Sequence, residues 1–405
     1  MKLAIVTGHF SPEVGYQEVC LARAYARLGH EVHVFTSTAV SPNTRGVVKQ
    51  DYAPGTARDE RYGYRVTRLP YRLSFGVNVV SPGLRAAVLA FRPDITIIIG
   101  LAKLFPAALL CDELRLHSRL IALFGDAREY AQRGSLAARV RTFLQQLLFI
   151  AMKRRLYRRA VRFCDRLVLN HAETLDLYLE QLRPRDRARF DEIVLPLTLG
   201  FDPDEFFFDT KDRDATRTKF RIAPQDVVLV TATRVMRGKG LEGIITRVSA
   251  LARAGLPIRY LIVGFLEDAY AGELRALIAA QPDPGRFIGL PFQDHEAIRR
   301  IYCAGDVGIW IKAAISIQEA MGTGLPVVLE DKPVVRHLVR DGENGWFFRP
   351  GGLEVRIGDA AGALVAMPPE QRSAARITRA ESNRQMLSYD MIAARIVAGL
   401  ASRQV

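Results

Sequence analysis

Cysteine is scarce and scattered. Four stand at positions 20, 111, 164 and 303 of 405 residues, none near another and each beside apolar neighbours. That spacing excludes a disulfide scaffold and matches no zinc motif; it fits buried thiols in a reducing compartment. No uncharged apolar run approaches the ~18 residues of a membrane span. The opening Met-Lys-Leu-Ala-Ile-Val-Thr is too short, and turns polar too early, for a signal peptide; it reads as a first strand. Acids are in deficit: 57 Lys and Arg stand against 43 Asp and Glu, a formal net charge of +14. The imbalance favours nucleotide phosphates, nucleic acid or an acidic membrane as partners. Nucleic acid is set aside, because neither an RNA-binding aromatic motif nor a helix-turn-helix pattern occurs. What is present is a chain almost half hydrophobic, too apolar for disorder and long enough for two domains.

The first half opens with a buried-type strand, Leu3-Ala4-Ile5-Val6, then a loop from Thr7 to Tyr16 and a helix from about Gln17 to Leu28 that Gly29 stops. Val32 to Thr36 is the next strand. Strand, loop, helix and strand in that order begin a parallel α/β domain, and ligands bind at such loops. Gly15 permits close approach there. His9, at the mouth of the loop, is either a donor to a phosphate or sugar or incidental. Residues 38 to 65 read as a polar excursion with a short hairpin. Ile95 to Ile99 is a central strand and a helix follows near Phe105 to Cys111. Leu120 to Phe124 is another strand, ending at Gly125-Asp126. Asp126 either touches an acceptor hydroxyl or sugar, or caps the next turn. Between Arg133 and Arg166 stand ten Lys or Arg and one Asp, within one or two helices over residues 135 to 163. Such a face suits anionic lipid, or is simply solvated.

The second half begins after Gly200-Phe201-Asp202, and the polar segment to Phe220 reads as a linker. Val227 to Thr233 is a strand, followed by Arg234-Val235-Met236-Arg237-Gly238-Lys239-Gly240 and a helix from about Leu241 to Ala254. This repeats the order of the first half. Arg234 and Lys239 at the junction suit a diphosphate, with help from the helix N-terminus. Alternation continues through Arg259 to the glycine turn at Gly264, Arg286 to Leu290, and Val307 to Ile311. Ser316-Ile317-Gln318-Glu319-Ala320-Met321-Gly322 reads as a helix whose Ile317, Ala320 and Met321 face inward, released by glycine towards Val327-Val328. Glu319 is the odd member: either it accepts hydrogen bonds from a hydroxyl-rich ligand, or it favours the helix dipole or a local salt bridge.

Taken together, Ser11-Pro12 through Gly15, Gly29-His30-Glu31-Val32, Gly200-Phe201-Asp202 with Phe206, Arg234, Lys239-Gly240, Glu319-Ala320-Met321, Gly324-Leu325-Pro326-Val327-Val328 and Ser388-Tyr389 resemble the GT-B glycosyltransferases, specifically the large retaining family four. The resemblance covers nearly the whole chain. It implies two facing Rossmann-like domains with a deep interdomain cleft: residues 1–205 binding acceptor, 206–375 binding a nucleotide sugar, and 376–405 as helices crossing back. It implies that Arg234 and Lys239 bind the donor diphosphate and stabilise charge developing on it, with Asp126 the third catalytic candidate. Glu319 would hold ribose hydroxyls, Gly15 would lie over the phosphate, and Gly289 and Leu290 would border the base; Gly264 and Ser316 complete the donor-binding set. A UDP or GDP sugar is the expected donor, transfer proceeds with retention, and no metal or separate cofactor is expected.

Two departures from the family pattern stand out. The family's additional glutamate, eight positions before Glu319, is replaced by Ile311, followed by Lys312-Ala313-Ala314-Ile315. Its histidine after the Leu120–Phe124 strand is replaced by Gly125-Asp126. The expected protein is a cytoplasmic enzyme, peripheral on the inner membrane face, acting on a lipid-linked, saccharide or small-molecule acceptor. The alternatives are a nucleotide-binding scaffold with an impaired site, or a sugar-nucleotide epimerase.

Overall fold

A computed structural model describes residues 1–42, 44–45, 47–101, 103–125, 152–170 and 172–401. The chain divides into two compact units, one formed by Met1–Thr198 with Ile392–Val405, the other by Leu199–Met391. The division falls earlier than the 205/206 boundary read from the sequence. Phe201 explains why: its backbone N–H donates to Leu387 and its carbonyl accepts from Tyr389, while its ring and that of Phe206 are buried in the second unit's core.

The first unit holds strands β1 (Lys2–Val6), β2 (Glu31–Ser37), β3 (Gly55–Arg58), β4 (Arg65–Leu69), β5 (Leu73–Phe75), β6 (Asn78–Val80), β7 (Ile95–Ile99), β8 (Arg119–Phe124), β9 (Arg166–Leu169) and β10 (Val194–Pro196). Eight of them form one sheet in the order β10-β9-β8-β7-β1-β2-β4-β3, while β5 and β6 pair separately. All its ladders are parallel except β3 against β4; the hairpin expected within residues 38–65 thus takes its second strand, Arg65–Leu69, from beyond the polar excursion. Ile95 to Ile99 are all buried, as a strand covered on both faces requires. The helix expected near Phe105 is two short ones, Leu104–Ala107 and Asp112–Arg115. Of the expected basic helical region, residues 152–163 are helical; the part over residues 126–151, and Asp126 with it, lies outside the described residues.

The second unit has a sheet of β11 (Val227–Ala232), β12 (Ile258–Phe265), β13 (Phe287–Pro291), β14 (Val307–Trp310), β15 (Val327–Glu330) and β16 (Gly345–Phe348), wholly parallel in the order β13-β12-β11-β14-β15-β16. Alternate side chains serve opposite faces. On β11, Val227 and Leu229 enter one core cluster while Val228, Val230 and Ala232 enter the other. Such double burial explains the uninterrupted apolar runs.

The segment read as a linker contains a helix, Thr210–Lys219. Its N-cap is Asp209, whose side chain accepts from the Lys211 and Asp212 N–H groups. It shows no apolar period because charged residues do the docking. Arg213 and Arg217 are buried and both bind Asp306, at 2.7 and 3.1 Å. Burial alone would raise the Asp306 carboxyl; Arg213 and Arg217 outweigh it and hold the group below the ordinary carboxylate range. The final helical region is two helices, Pro369–Leu387 and Tyr389–Ala401, which break at Ser388.

Asp306→Ala leaves two buried guanidinium groups without their anion. The expected loss is about 3–5 kcal/mol of stability in the second unit. Both tryptophans, Trp310 and Trp346, belong to this unit, so their fluorescence in a urea titration reports it selectively. A loss below about 1 kcal/mol would show that the pair is dispensable.

Candidate active site

Strand order in the second sheet reverses between β11 and β14. From β11 the chain winds to β12 and β13; from β14 it winds to β15 and β16 on the other side. The carboxyl ends of strands at such a reversal leave a crevice between loops that diverge, and ligands of open α/β sheets bind there. The candidate residues of this unit are grouped around it.

The loop after β11 runs from Thr233 to Gly240 and opens the helix Leu241–Arg253. Two glycines set its path. Gly264, at φ +109°, accepts the Val235 N–H at 3.0 Å, and a Cβ there would sit 2.0 Å from the Thr233 carbonyl oxygen. Gly240, at φ +74°, lies where a Cβ would meet Ile311 Cδ1 at 2.5 Å. Both positions therefore demand glycine for close approach as well as backbone conformation. Gly264 thus builds the loop from behind.

Across the reversal, the end of β14 is tied to the end of β11. The Ala232 carbonyl accepts from Trp310 Nε1 at 3.1 Å and from Ser316 Oγ at 2.7 Å. Ser316 is accordingly a brace for the helix Ser316–Gly322. Of that helix, Ile317, Ala320 and Met321 are buried, as their inward stripe predicts.

The loop carries three cations, which differ in availability. Arg237 is paired with Glu273 at 2.6 Å. Arg234 is exposed and Lys239 half-buried, and no described carboxylate forms an ion pair with either. Lys312, exposed just beyond β14, joins them. Burial, then repulsion from Lys312 and Arg234, pushes the Lys239 ammonium below its ordinary pKa. An anion placed among these groups would relieve that repulsion, which is the electrostatic requirement for gripping a diphosphate.

Glu319 lies in a different setting. It is half-buried, its backbone N–H donates to the Ile315 carbonyl, and among the described residues its side chain has no hydrogen-bond partner. Burial pushes the carboxyl up to about 7, opposed by His295 and reinforced by Glu205. These two neighbours were not anticipated. His295 Nδ1 and Glu205 Oε2 are hydrogen-bonded to each other, and Phe206 packs against the imidazole with ring centroids 5.4 Å apart. The contact joins residues 90 apart in the sequence. Its local signal was slight: an acid inside the Gly200–Phe206 run, and a histidine just after the capping Asp294. Tyr302, whose hydroxyl donates to the Ser316 carbonyl at 3.1 Å, is the other titratable group near Glu319.

Gly289 lies on β13 with Phe265 against it, 3.0 Å from where a Cβ would stand, and Leu290 beside it is half-buried. Both stand on the β12 side of the reversal. Gly15 belongs to the first unit, at φ +63° before the helix Gln17–Arg27, with its carbonyl accepting from Cys20 Sγ at 3.2 Å. His9, in the same loop, is buried with Nε2 unpartnered; burial and Lys103 push its pKa down to about 4. It is neutral at physiological pH and supplies no cation for a phosphate. Among the described residues, no group of three His, Cys, Asp or Glu is arranged to hold a metal ion.

Two α/β units, each built on a largely parallel sheet whose strand order reverses, have the architecture of a GT-B fold. Comparison by family agrees. Residues 19–190 match the glycosyl transferase 4-like domain and residues 212–381 the glycosyl transferases group 1. The chain belongs to this glycosyltransferase family. Solved structures show the same fold at low identity. HepE of Anabaena, in complex with UDP, has 18% identity and a TM-score of 0.69 over 99% of this chain and 100% of its own. Sucrose-phosphate synthase from Thermosynechococcus elongatus has 16% identity and a TM-score of 0.66 over 100% and 98%. The catalytic domain of starch synthase IV from Arabidopsis thaliana has 13% and 0.65 over 99% and 98%. No curated protein matches in the search of characterised sequences.

The raised Glu319 pKa fixes the sign of a pH effect. The folded state holds its proton more tightly than the unfolded chain, so the free protein loses stability as pH rises from the ordinary carboxylate value of 4.5 to about 7. Glu319→Gln is expected to raise the urea midpoint at about pH 8 and to flatten the dependence below it. An unchanged midpoint would mean that the carboxyl is better solvated than its surroundings indicate.

Proposed function

We propose that the protein transfers a sugar from a UDP or GDP sugar to a hydroxyl acceptor with retention at the anomeric carbon and without a metal ion. The observation that carries this reading is a pair of cations, Arg234 and Lys239, on the loop after β11 at the strand reversal, with the Glu319 carboxylate presented by the same unit, none of the three partnered by a described side chain. HepE of Anabaena, solved with UDP and with UDP-glucose, supports the choice of donor.

In this reading the bond from the anomeric carbon to the diphosphate oxygen breaks as the acceptor oxygen bonds the same carbon from the same face. The acceptor proton passes to the departing phosphate. Arg234 and Lys239 gain in interaction as negative charge gathers on the diphosphate, so they favour the transition state over the bound donor. Their charge stands where a divalent ion would otherwise act. Glu319, ionised, accepts hydrogen bonds from ribose hydroxyls. The basic run between Arg133 and Arg166 suits an anionic membrane surface and hence a lipid-linked acceptor, with the protein peripheral on the cytoplasmic face.

A second reading has one observation in its favour. Ile311 packs on Gly240 and presents no carboxylate to a sugar, which suits nucleotide binding without turnover.

Arg234→Ala and Lys239→Ala are each expected to weaken UDP or GDP binding about 10- to 100-fold, the loss of a charge-assisted hydrogen bond, and to lower kcat/KM by about 100-fold or more. Calorimetry and a transfer assay read the two effects. Nucleotide binding without product from any acceptor would favour the scaffold, and donor conversion without acceptor an epimerase. NMR of the product's anomeric proton tests retention; inversion, or loss of transfer in EDTA, would overturn that part of the proposal.

A further inference from the structure

The free cations at the strand reversal exceed the charges of the donor proposed for them, and this inference rests on that donor reading. A sugar ester of a nucleoside diphosphate carries one negative charge on each phosphate. Arg234 and Lys239 answer those charges from a single loop. Lys312 is a third cation from a different element. Its place follows from packing. Ile311 meets the position of a Cβ on Gly240 at 2.5 Å, and Lys239 and Lys312 are the next residues on either side of that contact. The braces from Trp310 and Ser316 to the Ala232 carbonyl hold the two backbones in this relation.

Among the described residues, no acid forms an ion pair with Lys312. Glu330, the nearby acid of β15, is already paired with Lys332 at 2.5 Å, and Lys332 also donates to the Ile311 carbonyl at 3.4 Å. The charged neighbours of Glu319 are His295 and Glu205, whereas those of Lys239 are Lys312 and Arg234. The carboxylate and the third cation therefore serve different parts of a ligand. With the diphosphate on the β11 loop and the nucleoside towards Glu319 and β13, Lys312 is left for the sugar. The segment Ile311-Lys312-Ala313-Ala314-Ile315 contains no other polar side chain. It has no side-chain acceptor for the hydroxyls of a neutral sugar; its one polar side chain is an ammonium donor.

From this arrangement we infer that the transferred sugar is itself acidic, a uronic acid whose carboxylate pairs with Lys312. The nucleotide sugar then brings one more negative charge than a neutral hexose donor, and the three cations are matched.

The test is equilibrium calorimetry on the full chain with no acceptor present, so that any charge sensed belongs to the donor. UDP-glucose is compared with UDP-glucuronate, and GDP-mannose with GDP-mannuronate; UDP and GDP serve as references. The uronate is expected to bind about tenfold more tightly than its neutral counterpart on the favoured base, the scale of one charge-assisted hydrogen bond. Lys312→Ala should bring the two within about twofold, and Lys312→Glu should reverse the order. Lys312→Gln, which keeps length and polarity but not charge, should behave as the alanine variant does. Equal or tighter binding of the neutral sugar by the unaltered protein would overturn the inference, as would a preference that persists in Lys312→Ala and Lys312→Gln. If UDP and GDP bind and Arg234→Ala weakens them, such a result leaves the donor site standing. If no nucleotide or sugar nucleotide binds, both readings fall.

Discussion

The second unit depends on how it buries charge. Asp306 stands at the start of β14, where its side chain accepts the Val228 N–H at 2.8 Å and its own N–H donates to the Val228 carbonyl at 2.7 Å. Arg213 and Arg217 supply the countercharge. They also reach the carbonyls at the end of the helix His295–Ala304, Arg213 to Cys303 and Gly305 at 3.1 and 3.0 Å, and Arg217 to Ala304 at 3.1 Å. Arg376, from Pro369–Leu387, binds Gly305 at 2.6 Å and Tyr302 at 3.0 Å, and burial pushes its guanidinium down to about 9. The last carbonyls of a helix lack intrahelical partners, and cations there also suit its dipole. One buried network therefore caps a helix, docks two others and anchors a strand.

The consequence for the site is positional. The strand whose beginning is locked by Asp306 ends at Trp310, and Ile311 and Lys312 emerge beyond it. The helix whose end is capped by the three arginines begins at His295, the neighbour of Glu319. Groups at the open end of the sheet thus inherit rigidity from a network at the opposite end. The two ends differ in how their charges are satisfied. At one, Asp306 and the buried Arg213, Arg217 and Arg376 are partnered by one another or by backbone carbonyls. At the other, no described carboxylate pairs with Arg234, Lys239 or Lys312, and the half-buried Glu319 carboxyl has no described hydrogen-bond donor. Keeping like charges close is unfavourable for the free protein, and a ligand of opposite charge recovers that energy on binding.

The architecture was largely legible in the sequence because parallel strands buried on both faces write themselves as continuous apolar runs, and glycine marks the turns that follow. Ile95 to Ile99 and Val227 to Ala232 are examples. The Thr210–Lys219 helix was not legible for the opposite reason. Its inward face is arginine, and arginine in a sequence reads as surface until the buried aspartate it serves is known. Arg234, Lys239, Glu319 and Ser316 were named from their junctions and from the family resemblance; that the Ser316 hydroxyl also donates to the Ala232 carbonyl was not legible.

By itself the sequence determined the two alternating α/β halves, the glycines that let loops approach strands, and the family, since each rests on local pattern and spacing. Only the tertiary structure decided which charges are spoken for. Arg237 and Lys332 have acids, whereas no described acid pairs with Lys239 or Lys312; His295 meets Glu205 across 90 residues. Ion pairing and desolvation are properties of neighbours in space, and the chain brings those neighbours together only when the strand order reverses between β11 and β14.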